Sequence, residues 1–238
     1  MSEITLKQGD CLEIMKEIPD KSIDMILCDL PYGVTQCKWD SIISFIKLWE
    51  QYNRITKNNS AILLFGSEPF SSTLRISNIK NFRYDWIWKK NKATQYLNAN
   101  KMPLYDYEII SVFYKKLPTY NPQMGKGKAY SNSHKPDDSG DCYGKVSYSS
   151  RNNVQTRYPK RIISFDVDMG EHLHPTQKPV PLLEYLIKTY TNEGETVLDN
   201  CMGSGSTGVA AKNLNRNFYG IELDEHYFEV AKERIESA

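Results

Sequence analysis

Short apolar runs alternate with amphipathic stretches along most of the chain. Runs at Ile4–Gln8, Ile23–Cys28, 61–65 (AILLF), 82–89 (FRYDWIWK), 108–114 (EIISVFY), Thr196–Asp199 and Asn217–Glu222 predict seven strands. Between them, 11–17, 42–55, 69–77, 179–190, 207–214 and 226–235 predict helices. In 42–55, Ile42, Phe45, Ile46, Trp49 and Tyr52 recur at helical spacing and predict one buried stripe. Pro179 opens its helix, where a missing N–H leaves no hydrogen bond unmade. This alternation predicts an α/β fold, a doubly wound and mostly parallel sheet with helices on both faces.

Residues 115–170 break the rhythm. They are rich in Gly, Ser, Asn, Pro, Lys and Tyr, and include a dense series of turn residues at 120–141 (YNPQMGKGKAYSNSHKPDDSGD). So long an irregular stretch inside a compact domain is functional or disordered. Tyr120, Tyr130, Tyr143, Tyr148 and Tyr158 argue against simple disorder. The expected division is a first part of the main domain at 1–114, an inserted recognition region at 115–170, and the completion of the main domain at 171–238.

Charge sharpens that picture. The net charge is only +1, yet residues 75–135 hold 12 Lys and Arg against 3 Asp and Glu. A basic field flanked by acidic parts fits a polyanion, and fits a solvated lysine-rich loop equally well. The cysteines at 11, 28, 37, 142 and 201 show no C-x-x-C spacing, and the four histidines show no metal-binding pattern. No disulfide framework and no metal site are expected. No apolar run approaches the roughly 20 residues that span a bilayer. Without a signal-like N-terminus, a cytoplasmic protein is expected.

Two short segments carry candidate chemistry. The first, at 196–211 (TVLDNCMGSGSTGVAA), reads as strand, acid, glycine turn and helix. Gly203 and Gly205 allow a tight turn and close approach of backbone to a ligand, and the helix beyond offers free N–H groups. Glu222 ends the next strand, at a spacing suited to ribose hydroxyls. Alone, the turn fits S-adenosylmethionine, a nicotinamide dinucleotide or a purely structural bend. Asp199 ahead of the glycines would attract an ammonium and repel a pyrophosphate, which favours the first.

The second segment, Asp29-Leu30-Pro31-Tyr32, follows a buried strand directly, at the edge where open parallel sheets bind ligands. An amino group on a heteroaromatic ring is a poor nucleophile, because its lone pair is conjugated into the ring. A carboxylate and a backbone carbonyl that accept its two hydrogens free that pair. Pro31 fixes the carbonyl before it, and Tyr32 can stack on an extruded base. By itself the tetrapeptide fits an ordinary turn just as well.

Taken together, in this order, the two motifs resemble the β-type amino DNA methyltransferases. Phage-borne adenine methylases are especially similar, through Gly33 after the tetrapeptide and then Trp39-Asp40. His174-Pro175-Thr176-Gln177-Lys178-Pro179 resembles another family element, and Gly9-Asp10-Cys11 resembles the segment that meets the cofactor adenine. The resemblance implies a Rossmann-like, seven-stranded methyltransferase fold of permuted order, with an inserted target-recognition region. It also implies direct in-line transfer of a methyl group from S-adenosylmethionine to a flipped base in double-stranded DNA, without a covalent enzyme intermediate. Asp29, the Leu30 carbonyl, Pro31 and Tyr32 would then be catalytic. Asp10 and Cys11 would face the adenine, Glu222 the ribose, and Thr176 and Lys178 the methionine end. Asp199, Met202, Gly203, Ser204 and Gly205 would form the cofactor turn. Lys89, Lys90, Lys92, Lys115, Lys116, Lys126 and Lys128 are expected at phosphates. Leu30 stands where the family usually has Pro, and Asn200-Cys201 where it has Pro-Phe.

Other reactions fit less well. Cytosine C5 methylation needs a nucleophilic thiolate, typically in a Pro-Cys pair, and none of the five cysteines follows a proline. Asp29, where cytosine N4 enzymes often have Ser, favours adenine N6. Cytosine N4 methylation is the runner-up, followed by a DNA-binding relative without catalysis. The resemblance also brings in a bacterial or phage setting, a homodimer and a cognate restriction endonuclease as expectations.

Overall fold

The computed structural model describes residues 2–33, 42–132, 151–167 and 177–238. In chain order its elements are β1 (Ile4–Gln8), α1 (Cys11–Ile14), β2 (Ile23–Cys28), α2 (Phe45–Ile55), β3 (Thr56–Gly66), α3 (Phe70–Ser77), β4 (Phe82–Thr94), β5 (Tyr105–Phe113), β6 (Gly125–Asn132), β7 (Arg151–Arg157), β8 (Ile162–Ser164), α4 (Val180–Tyr190), β9 (Thr196–Asp199), α5 (Ser206–Asn213), β10 (Asn217–Glu222) and α6 (Glu225–Ser237).

Among the described residues the main sheet has eight strands, in the order β1-β10-β9-β2-β3-β5-β4-β8. The expected seven are joined by β8, which pairs parallel to β4 and is too short to show a period in sequence. Neighbours from β1 through β3 run parallel. Only β5 is antiparallel to both of its neighbours. The C-terminal ends of β1, β10, β9, β2, β3 and β4 therefore share one edge with the start of β5.

Alternation along the central strands builds two cores. Met25, Leu27, Ala61, Leu63 and Phe65 face one way and pack with Leu183, Leu186 and Ile187 of α4, Val209 and Ala210 of α5, and Ala231 and Ile235 of α6. Ile26, Cys28, Ile62 and Leu64 face the other way, against Leu48, Trp49 and Tyr52 of α2 and Leu74 of α3. Burial on both faces explains the near-continuous apolar runs of β2 and β3. The stripe on α2 differs from expectation. Leu48, Trp49, Tyr52 and Ile55 are buried, whereas Ile42 and Ile46 are exposed. One residue along a helix rotates the side chain by about 100°, which carries Ile46 off the face set by Trp49 and Tyr52.

A second compact unit spans Pro122–Lys160. It contains the antiparallel pair β6–β7, in which Tyr130 lies opposite Val154 and the Arg157 guanidinium sits 4.2 Å from the Tyr130 ring centre. These strands (GKGKAYSN and RNNVQTR) lack an apolar face, so hydrophobic periodicity misses them. The chain leaves the larger unit at Asn121, whose N–H donates to the Thr189 carbonyl (2.8 Å), and returns at Arg161, whose carbonyl accepts from Ile87 (2.8 Å).

Candidate active site

A cleft of about 730 Å³ opens along the shared strand edge of the larger unit. Gly9–Leu12, Asp29–Tyr32, Lys90, Glu108, Lys178, Asp199–Ser204 and Glu222 are among its lining residues. The sheet thus brings together the tetrapeptide and the glycine turn, which lie far apart in sequence.

On one side the glycine turn is tightly built. Gly203 and Gly205 have φ of +51° and +77°, the left-handed region that disfavours side chains. The turn closes through Gly205 N–H to the Met202 carbonyl (2.8 Å). Glu222 accepts from the Gly203 and Asp224 N–H groups at 2.8 and 2.9 Å, which fixes its carboxylate at the cleft wall. Burial raises its pKa. Asp10 caps α1 by accepting from Leu12 N–H at 2.7 Å and also faces the cleft. Cys11 and Ser204 line the same wall, with the Ser204 hydroxyl 3.2 Å from the Gln177 amide oxygen.

Asp199 is placed differently from a carboxylate open to an outside ammonium. Its oxygens accept from the Cys201 N–H (3.1 Å) and the Thr207 hydroxyl (2.6 Å), and it is buried. Burial pushes its pKa up to about 6 against those hydrogen bonds. Asp199 ties the strand end to α5 and braces the turn from within. Cys11, Cys28 and Cys201 are free thiols. Burial pushes the Cys28 pKa up to about 12, so the thiol stays protonated at neutral pH. Among the described residues no three His, Cys, Asp or Glu side chains are placed to hold a metal ion.

On the other side Asp29 sits in a charged network. Its Oδ2 accepts from Lys178 Nζ at 2.5 Å, and its Oδ1 accepts from the Tyr32 hydroxyl at 2.6 Å. Lys178 also lies 3.3 Å from Glu108 Oε2, and Glu108 Oε1 accepts from Lys90 Nζ at 2.5 Å. Burial lowers the pKa of Lys178, but Asp29 and Glu108 more than reverse this and hold it charged. Burial raises that of Glu108, and Lys178 and Lys90 outweigh it, so Glu108 stays below the usual glutamate range. The Tyr32 ring stands 4.8 Å from that of Phe70. Leu30 is buried, which accounts for an apolar residue at that position.

Lys178, expected at the methionine end, is therefore also the direct partner of Asp29. Glu108 was not foreseen, because one acid at the start of an apolar strand carries no pattern. Glu108 lies opposite Trp88, so Lys90, two residues on along β4, is its diagonal neighbour. Lys89 pairs with Tyr107 but Thr94 with Tyr105, so β4 holds extra residues there. Such bulges re-aim side chains next to active sites.

The expected phosphate-binding lysines separate into groups. Lys92 is exposed and lines the cleft, and Lys89 is exposed on the same strand without lining it. Lys90 is not available to a phosphate, because its side chain is only 12% exposed and is paired with Glu108. Lys115 and Lys116 follow the antiparallel β5 and so emerge at the opposite edge of the sheet, where Lys116 N–H meets the Asn58 carbonyl. Lys126 and Lys128 lie on β6 of the second unit. Thr176, with His174 and Pro175, lies outside the described residues, as do Trp39 and Asp40.

The cleft fits S-adenosylmethionine in volume and in chemistry, with an acid fixed at a strand end, a glycine turn and backbone free to approach. Comparison with known proteins agrees. M.HinfI, a type II methyltransferase of Haemophilus influenzae, is 28% identical over 97% of this chain and 68% of its own length. M.HpaI, a type II methyltransferase of Haemophilus parainfluenzae, is 27% identical over 96% of this chain and 73% of its own. The crystal structure of the M1.HpyAVI–SAM complex superimposes with a TM-score of 0.66 at 26% identity, over 98% of both chains. The cytosine-N4-specific PvuII DNA methyltransferase shares the fold, with a TM-score of 0.73 at 16% identity over 98% of this chain and 86% of that one. The family model for N6/N4 DNA methylases matches residues 23–233, and the chain belongs to that family of S-adenosylmethionine-dependent DNA methyltransferases.

Proposed function

We propose that the protein methylates the N6 amino group of adenine in double-stranded DNA. The observation that carries this reading is a carboxylate at the first tetrapeptide position, fixed at the cleft wall by Lys178 and Tyr32. Bound S-adenosylmethionine supplies a methyl group already activated as a sulfonium. The chain's own residues supply position and charge. Glu222 and Asp10 suit the ribose and adenine ends of the cofactor, and the turn through Gly203 and Gly205 lets the backbone come close. Asp29 accepts one hydrogen of the target amino group and the Leu30 carbonyl the other. This draws the nitrogen toward tetrahedral geometry, and the carboxylate stabilises the positive charge that develops there. Tyr32 offers a π-face to the extruded base.

Lys178 and Glu108 act through Asp29. In the free enzyme both Asp29 oxygens already have a donor, so the target amino group must share Oδ1 with the Tyr32 hydroxyl or displace it. The reading is tested by mass spectrometry of nucleosides from DNA treated with wild type and with Asp29→Ala. Wild type should give N6-methyladenine, and the variant should be slower by about 10²–10³-fold with cofactor binding retained. N4-methylcytosine from the wild type would move the enzyme to the other target base. Undiminished turnover by the variant would remove Asp29 from the mechanism.

A further inference from the structure

The loop that joins β4 to β5 gathers exposed apolar side chains within a short span. Leu97 is 99% exposed, and Tyr96, Met102 and Leu104 are exposed with it. This is not a loose strand of chain. Gln95 takes the left-handed conformation (φ +67°) and starts a 3-10 turn at Tyr96–Asn98. Ala99 N–H then returns to the Tyr96 carbonyl (3.1 Å), and Lys101 and Met102 N–H to the Asn98 carbonyl (2.8 and 3.0 Å). The turn holds its apolar side chains outward with no core to receive them.

Position and charge identify what would cover it. Glu108, on the cleft wall, pairs with Trp88, and the last pair before the loop is Thr94 with Tyr105. Three residues of β5 at about 3.4 Å each place the base of the loop about 10 Å beyond Glu108, at the cleft mouth. Lys92, Ala93 and Thr94 line the cleft on the way there. Lys89, Lys92 and Lys101 are exposed around the loop, and no Asp or Glu occurs between Asp85 and Asp106. Apolar tips ringed by cations suit a partner with an anionic exterior and a stacked apolar interior, and duplex DNA has both.

We propose that the 95–104 loop is a wedge that enters the DNA duplex beside the target base, with Leu97 at its tip and Tyr96 beside it, holding open the stack from which the base has left. Base extrusion costs stacking and pairing, and apolar side chains inserted between base steps offset that cost. Lys89, Lys92 and Lys101 would meet the flanking phosphates. The inference rests on the DNA-methylating function above and adds the side chains that make the target accessible.

The test compares two duplexes carrying the site at which wild type modifies DNA. In one the target base is normally paired, and in the other it faces a mismatch, which removes much of the cost of extrusion. Leu97→Ala should methylate the paired duplex roughly 10–100-fold more slowly, since burial of a leucine shifts an equilibrium by about that factor. On the mismatched duplex most of the loss should disappear. Tyr96→Ala with Leu97→Ala should widen the contrast. Leu97 is 99% exposed, so the thermal midpoint and S-adenosylmethionine affinity should match wild type. Equal loss on both duplexes, or no loss on either, overturns the wedge while leaving wild-type adenine methylation intact. A wild-type product of N4-methylcytosine overturns the adenine assignment alone, and the same paired-against-mismatched contrast is then read at that cytosine.

Discussion

Glu108→Gln keeps the size of the side chain and removes one charge from the middle of the buried network. Glu108 lies 2.5 Å from Lys90 and 3.3 Å from Lys178. At an effective dielectric of about 20, unit charges so placed attract by about 5–7 kcal/mol. Most of that gross figure offsets the hydration Glu108 gives up on burial, and removing one partner of a buried pair costs about 3–5 kcal/mol net. Lys178 keeps Asp29, so the loss falls mainly on Lys90 and the low end applies, about 3 kcal/mol. For a chain of this size that lowers the thermal midpoint by about 6–12 °C.

The effect of pH follows from Glu108 lying below its ordinary range under the influence of Lys178 and Lys90. Its contribution is complete above the unfolded glutamate pKa of about 4.3. It fades as pH falls through the lower folded value. The gap between wild type and variant should therefore be constant around neutrality and close only in acid. Turnover should fall as well, because Lys178 loses one of the groups that aim it at Asp29, and misplacement by about 1 Å costs about 10²-fold. Scanning calorimetry against pH, with a double-mutant cycle to Lys178→Met, measures both the cost and the coupling. A midpoint within about 2 °C of wild type at neutral pH, together with additive single-mutant effects, would refute the network as a positioning device.

Three further outcomes are expected. Glu222→Ala should weaken S-adenosylmethionine binding about tenfold or more in calorimetry, through lost hydrogen bonds to the ribose and a loosened glycine turn. Gly205→Ala should lower stability in urea titration by about 1–3 kcal/mol, since φ is +77° and a Cβ would lie 3.0 Å from both Ala231 Cβ and Ile235 Cδ1. Lys89→Gln and Lys92→Gln should each reduce the log–log salt slope of DNA binding by about 0.9, whereas Lys90→Gln should lower the thermal midpoint and leave that slope unchanged.

Much of this architecture was legible in the chain. Buried on both faces, β2 and β3 leave apolar runs that cannot be missed, and the acid of Asp29 directly after one of them marked the sheet edge. Element boundaries were harder. β3 begins at Thr56, which pairs with Ile23 of β2, but the polar residues Lys57–Ser60 fall in a register irregularity before pairing resumes at Ala61 with Met25, so the apolar pattern starts five residues late. The β6–β7 pair leaves no trace because neither strand carries an apolar face. Within the site, local sequence located Asp29, Glu222 and the glycines, since each belongs to a turn with its own signature. Glu108 and Lys90 meet through the register between two consecutive strands, β4 and β5, and no local pattern records that register. The tetrapeptide marks Tyr32 for its ring, whereas the contact of its hydroxyl with Asp29 depends on three-dimensional placement.

The insertion has a consequence for how such a protein can change. The excursion at Pro122–Lys160 is fastened on the larger unit at both ends, by Asn121 at Thr189 and by Arg161 at Ile87. Neither anchor is a residue of the cleft, and the backbone bonds they make do not depend on the sequence between them. Closing a loop of different length costs only logarithmically more. This segment can thus drift, lengthen or be traded between relatives while the chemistry beside Asp29 stays under separate selection, and a chimera joined at Asn121 and Arg161 would inherit an undisturbed catalytic sheet.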